Sequence, residues 1–125
     1  IERFSQVIKL DPTACDAYFY RGACYFHLKD VLKTIADYDK LTELAPKKAN
    51  YWSCLGDAYF NLVPDELDEA IRCYSKCLSL DSTFAAALYN RGMAYYKLGS
   101  YDRALNDVEK ALEIEPNNLN YIQGV

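Results

Sequence analysis

Apolar and polar positions alternate along this chain with a helical period, in paired stretches. In the first pair Tyr18, Gly22, Tyr25 and Leu28 recur at the spacing of one buried helical face. Lys29 and Asp30 interrupt it, and a second stripe follows through Val31, Thr34, Ile35, Tyr38, Leu41 and Leu44. Pro46 stops that stripe, because the residue before proline is steered out of the helical region. The next pair runs through Trp52, Gly56, Tyr59 and Leu62, then Leu67, Ala70, Ile71, Tyr74, Cys77, Leu78 and Leu80. The third runs through Leu88, Gly92, Tyr95 and Leu98, then Tyr101, Ala104, Leu105, Val108, Ala111, Leu112 and Ile114.

The pairs are copies of one another. A displacement of 34 residues carries Ile1, Phe4, Val7, Leu10 and Pro12 onto Ile35, Tyr38, Leu41, Leu44 and Pro46. The same displacement backwards carries Leu112, Ile114 and Pro116 onto Leu78, Leu80 and Ser82. The middle step is 36, since Asn61–Ala70 is two residues longer than Lys97–Ala104. Pro64, in that longer turn, is expected to open the following helix, where its missing N–H is harmless.

Trp52, Leu55, Gly56 and Tyr59, followed by Ala70, Tyr74 and a helix-ending Pro or Ser, resemble the tetratricopeptide repeat signature. "YYKLGSYDRALNDVEKALEIEPNN" in the third unit is closer still to that consensus. Thr34 in place of a small alanine, Ser82 in place of proline and the longer turn at Pro64 depart from it. The resemblance implies an all-α fold, an α-α superhelix built as a right-handed solenoid of antiparallel helix pairs. It divides the chain into the second helix of a preceding repeat (1–14), full repeats at 15–48, 49–84 and 85–118, and the start of a further repeat or a cap at 119–125. The related pentatricopeptide repeats read RNA and are typically basic, a character this chain lacks.

Composition narrows the partners. The net charge of -4 argues against a nucleic-acid binder, and no apolar run approaches the length of a membrane span, so a protein or peptide partner is expected, with self-association left open. The opening "IERFSQ" reads as the interior of a longer protein. Five cysteines without C-x-x-C spacing suggest reduced thiols in an intracellular, cytoplasmic setting rather than a disulfide framework.

Two features break the buried face. Gly22, Gly56 and Gly92 occupy equivalent places, although glycine in a helix costs about 1 kcal/mol relative to alanine. A close approach by the partner helix, with Tyr38 or Tyr74 over the gap, would explain them. Arg21 and Arg91 precede their glycines, and Asp37 and Asp107 lie sixteen residues on; the middle unit has Leu55 and Cys73 instead. Their joint appearance suggests an ion pair within each unit. Asp11 and Asp81, ten residues before the arginines, are alternative partners, and an arginine with no fixed partner is the plainer alternative.

The chain shows no phosphate loop, nucleophile elbow or zinc-protease motif, so no catalysis and no cofactor is expected. Cys24 with His27, and Cys73 with Cys77, have half the spacing of a metal site. Yet Cys24 and Cys77 match Ala94 and Ala111, small packing positions, and Cys73 matches the acids expected at an edge, so structural cysteines are favoured, with Cys73 the most exposed thiol.

By the resemblance, the first helix of each repeat lines a concave groove. The side turned from the core carries Asp16, Phe19, Tyr20, Phe26 and His27; Asn50, Asp57, Phe60 and Asn61; and Tyr89, Asn90, Met93, Tyr96 and Lys97. Aligned aromatics with amides and few charges suit a peptide-binding groove, although neighbouring helices covering them would account for the same residues. Relatives that clamp the terminal carboxylate of an acidic tail use lysines and asparagines. Here only Asn90 matches; Ser53, Asp57 and Asn120 stand elsewhere in the clamp, and Asp57 would repel a carboxylate. The expected role is a protein–protein interaction scaffold. The alternative is a segment of a longer solenoid that self-associates or regulates an enzyme elsewhere in the parent chain.

Overall fold

The computed structural model describes residues 1–117. Among them are seven α-helices and no strand: α1 (Glu2–Leu10), α2 (Cys15–His27), α3 (Val31–Leu44), α4 (Ala49–Leu62), α5 (Leu67–Leu80), α6 (Ala85–Lys97) and α7 (Tyr101–Ile114). No described helix is long and apolar enough to cross a membrane. The start of a further repeat or cap at 119–125 lies outside the described residues.

Short linkers force successive helices antiparallel, and each helix packs on its neighbours in sequence, which is the one-dimensional stacking of a repeat solenoid. The core is correspondingly a row of linked clusters. Tyr18, Tyr38, Leu41, Tyr51, Leu55, Ala58 and Cys73 form the first; Ala70, Tyr74, Cys77 and Ala87 the second; Ala85, Leu88 and Ala111 the third. Trp52 packs against the first two, with its indole N–H donating to the Pro46 carbonyl at 2.9 Å. Thr34, where alanine is usual, is fully buried and returns its hydroxyl to the Asp30 carbonyl at 2.7 Å.

The glycines sit where helices touch. A Cβ on Gly22 would lie 2.6 Å from Tyr38 Cε1, and one on Gly56 2.7 Å from Tyr74 Cε1. On Gly92 it would meet Val108 Cγ2 at 3.0 Å and the Ala104 carbonyl oxygen at 3.1 Å. The turns after α2 and α6 share another device. Lys29 (φ 60°) and Gly99 (φ 83°) are both left-handed, and the next amides reach back to the Tyr25 and Tyr95 carbonyls at 2.9 Å, closing each helix in a Schellman motif.

Pro64 does not open α5. It lies in the linker, and α5 begins at Leu67. The two additional residues of the middle unit divide between the two features: α4 has 14 residues where α2 and α6 have 13, and the linker gains the other. Leu28, Leu98 and Leu105 also depart from the stripes that contain them. They are 67%, 49% and 50% exposed, the first two because they cap helix ends.

Candidate functional site

Two arginines organise the edges of the array. Arg21 Nε and Nη2 donate to Asp37 Oδ2 and Oδ1 at 2.9 and 2.6 Å, and its Nη1 donates to Ser5 Oγ at 3.0 Å. Arg91 repeats this with Asp107 at 2.7 and 2.8 Å and Ser75 at 3.2 Å. Each guanidinium thus joins three helices, α1–α2–α3 or α5–α6–α7. The bond to the carboxylate holds both guanidiniums above their ordinary range. Asp11 and Asp81 are not arginine partners. Each folds onto the threonine two residues on, taking its amide at 3.0 Å and its hydroxyl at 2.7 Å, which leaves the carboxylate occupied locally.

The acids paired with arginine are buried, Asp37 at 3% and Asp107 at 2% exposure, and so is the residue that replaces them in the middle unit. Cys73 is fully buried rather than the exposed thiol the sequence suggested. Burial pushes its thiol up to about 12, and those of Cys54 and Cys77 likewise. A position that holds a fully bonded carboxylate in two units accepts an apolar thiol in the third because both are packed interior groups.

The outward sides of α2, α4 and α6 form one face. Phe19 of α2 meets Tyr51 of α4 with ring centroids 6.2 Å apart. Lys97 of α6 lies 4.5 Å over the Phe60 ring of α4, and Asn90 of α6 donates to Asp57 of α4 at 3.2 Å. Phe19, Phe26, Phe60, Tyr89, Asn90 and Met93 are half-buried; Asp16, Tyr20, His27, Asn50, Asn61, Tyr96 and Lys97 are exposed. Phe19 and Phe26 rest on the first core cluster, Phe60 on the second and Tyr89 on the third. The face is therefore a rim of exposed polar and tyrosine side chains around aromatics seated in the core. Asn61 turns its amide back to the Asp57 carbonyl at 2.9 Å, and Ser53 is buried. Asp16 stands beside a cleft of about 380 Å³ between Val7, Ala45, Lys48 and Tyr51.

Asp57 lies at the middle of this face. Its Oδ1 accepts from Tyr74 Oη at 2.5 Å and from Asn90 Nδ2 at 3.2 Å, tying α4 to α5 and α6. Burial holds its carboxyl above the usual carboxylate range, against the opposing pull of these two bonds. Tyr74 is the residue the sequence pattern assigned only to the core: its ring covers Gly56 while its hydroxyl reaches the face. Phe4 is another, stacking on Tyr20 at 5.9 Å from the end helix. The pairing of a glycine with a tyrosine eighteen residues on was the available signal for Tyr74.

Residues 1–49 and 85–118 match family models described as tetratricopeptide repeat, and residues 65–99 one described as TPR repeat. Among curated proteins, U-box domain-containing protein 70 of Oryza sativa subsp. japonica is 27% identical over 94% of this chain and 14% of its own length. Hsp70-Hsp90 organizing protein 2 of Arabidopsis thaliana is 26% identical over 92% of the chain and 20% of its own. The chain thus spans a fifth or less of the length of these relatives. Among solved structures, a crystal structure of MamA superposes with a TM-score of 0.86 at 26% identity, over 94% of this chain and 68% of that one.

Proposed function

Because this chain belongs to the tetratricopeptide repeat family, we propose that it is a protein-interaction scaffold, without catalysis of its own, whose face along α2, α4 and α6 takes an extended or helical segment of another protein. The observation that carries this is the row of half-buried aromatics, Phe19, Phe26, Phe60 and Tyr89, running across the alternate helices α2, α4 and α6 with exposed Tyr20 and Tyr96 at its ends. Anchored aromatics present apolar area without the entropy loss of ordering them on binding. The repeat boundaries at 15–48, 49–84 and 85–118 are part of the proposal, as is the carry-over from a relative named for organising Hsp70 and Hsp90 to a role in joining proteins.

Peptides selected from a random displayed library would test it. Binders are expected, and Tyr20→Ala with Tyr96→Ala should weaken them while the chain stays folded by helical circular dichroism, since both tyrosines are exposed and give up only surface ring contacts to Phe4, Phe19 and Tyr101. Binders indifferent to the double substitution would place recognition elsewhere. One observation favours a second role. Leu98, Tyr101 and Leu105 leave an apolar surface at the α7 end, which suits continuation of the solenoid or self-association. Light scattering that detects a dimer dispersed by Leu105→Glu would favour that role.

A further inference from the structure

Five carboxylates among the described residues are withdrawn from full exposure: Asp30, Asp37, Asp57, Glu69 and Asp107. Four have a cation within reach: Lys33, Arg21, Arg72 and Arg91 respectively, at 3.9, 2.6, 3.0 and 2.7 Å. Among the described residues, Asp57 is bonded only by neutral donors, the Tyr74 hydroxyl and the Asn90 amide, both on Oδ1. Lys97, a cation of the same face, is seated over the Phe60 ring at 4.5 Å. A carboxylate drawn out of water without a counter-charge is an electrostatic debt that an incoming cation would cancel. An incoming carboxylate would instead meet like charge and find the Asn90 amide already engaged.

We propose that Asp57 is the specificity-determining acceptor of the groove, receiving a lysine or arginine side chain from an internal segment of the partner, with Oδ2 as the bonding atom. The inference rests on the groove proposed above. Phe60 stands three residues on from the acceptor along α4, its half-buried ring packed on the core, so an apolar surface adjoins the carboxylate and lowers its contact with water, which is where a charge pair contributes most to discrimination. The net charge of -4 adds attraction for a basic segment at long range.

The test runs two selections from one random displayed peptide library, against the wild type and against Asp57→Asn, which keeps an oxygen acceptor for Tyr74 and Asn90. Wild-type binders are expected to carry lysine or arginine at one position, and Asp57→Asn binders are not. In titrations at low salt, replacing that residue by glutamine in the best binder should weaken it at least about tenfold for the wild type and leave it unchanged for Asp57→Asn. Binders that depend on Tyr20 and Tyr96 but show no enriched cation would overturn the inference and leave the groove standing. Binders that ignore those tyrosines, or no binders at all to a chain that retains its helical circular dichroism, would overturn both.

Discussion

The guanidinium of Arg91 grips both oxygens of Asp107, at 2.7 and 2.8 Å, and the same arrangement joins Arg21 to Asp37. The acids are nearly inaccessible, and the arginine side chains are 20% exposed. Removing one partner strands a buried charge, whereas replacing both with packed apolar groups need not. The middle unit shows the second solution in Leu55 and Cys73. Arg91→Leu is therefore expected to destabilise the chain by about 3 kcal/mol, and Arg91→Leu with Asp107→Cys to recover most of it. Chemical denaturation of the two variants measures this; equal losses would mean that the pair is not a unit.

The glycine contacts differ in kind, and so should their substitutions. At Gly56 the added methyl meets a Tyr74 ring held at its far end by Asp57. At Gly92 it meets a valine methyl at 3.0 Å and the Ala104 carbonyl oxygen at 3.1 Å, neither under 3.0 Å. Gly56→Ala should cost about 1–3 kcal/mol through overpacking, and Gly92→Ala less, because a few tenths of an ångström suffice and alanine restores helix propensity. Melting temperatures in the reverse order would contradict the contact geometry. Gly92→Val, with two methyls more, should disrupt the α6–α7 pair.

Asp57 predicts a pH signature. Its carboxyl is held above the usual range, so the folded chain takes up a proton at higher pH than the unfolded chain does. Stability gained from that proton is present below the raised value and lost as pH climbs through it. The groups facing Asp57 are Tyr38 of α3, Cys54 of its own helix, and Tyr74 and Cys77 of α5, all pushed upward and silent near neutrality. Asp57→Asn should melt a few degrees higher than the wild type at pH 7, with the difference vanishing on acidification. A constant difference across pH would assign the effect to packing.

Thiol accessibility separates the cysteines. Cys73 and Cys77 are fully buried, and together with Cys54 their thiols are pushed up to about 12. A disulfide reagent applied to the native chain at pH 7.5 should modify Cys15 and Cys24 first, and all five only in denaturant. Rapid native modification of Cys73 would refute the packing described here.

Much of the fold was legible because repeats allow the chain to be compared with itself. Three glycines in register marked close helix contacts, and the joint change of Arg to Leu and Asp to Cys marked a contact between helices. What periodicity cannot convey is whether anything covers a face. Leu28, Leu98 and Leu105 keep the spacing of core residues and are exposed. Nor does it show depth: the acids opposite the arginines suggested an edge, and Cys73 inherited that assignment although the position is interior. Asp11 and Asp81 tracked the arginines for a different reason: all three linkers make the same backbone turn, but only Asp11-Pro12-Thr13 and Asp81-Ser82-Thr83 fasten it with an aspartate bonded to a threonine, which Ala45-Pro46-Lys47 has no side chains to do. The contact between Asp57 and Asn90 crosses from one repeat to the next over 33 residues, and single-unit comparison is blind to it.

The arginines also make the junctions between units unlike. Ser5 and Ser75 take a guanidinium bond from the following helix, but between α3 and α4 the equivalent residues are Asp39 and Leu55, and that joint is held by the aromatic cluster around Tyr38, Tyr51 and Leu55. Apolar contacts weaken on cooling. The central joint, which has no guanidinium bond to share the load, is therefore the one whose strength follows temperature most closely, and the array is expected to loosen there first in the cold.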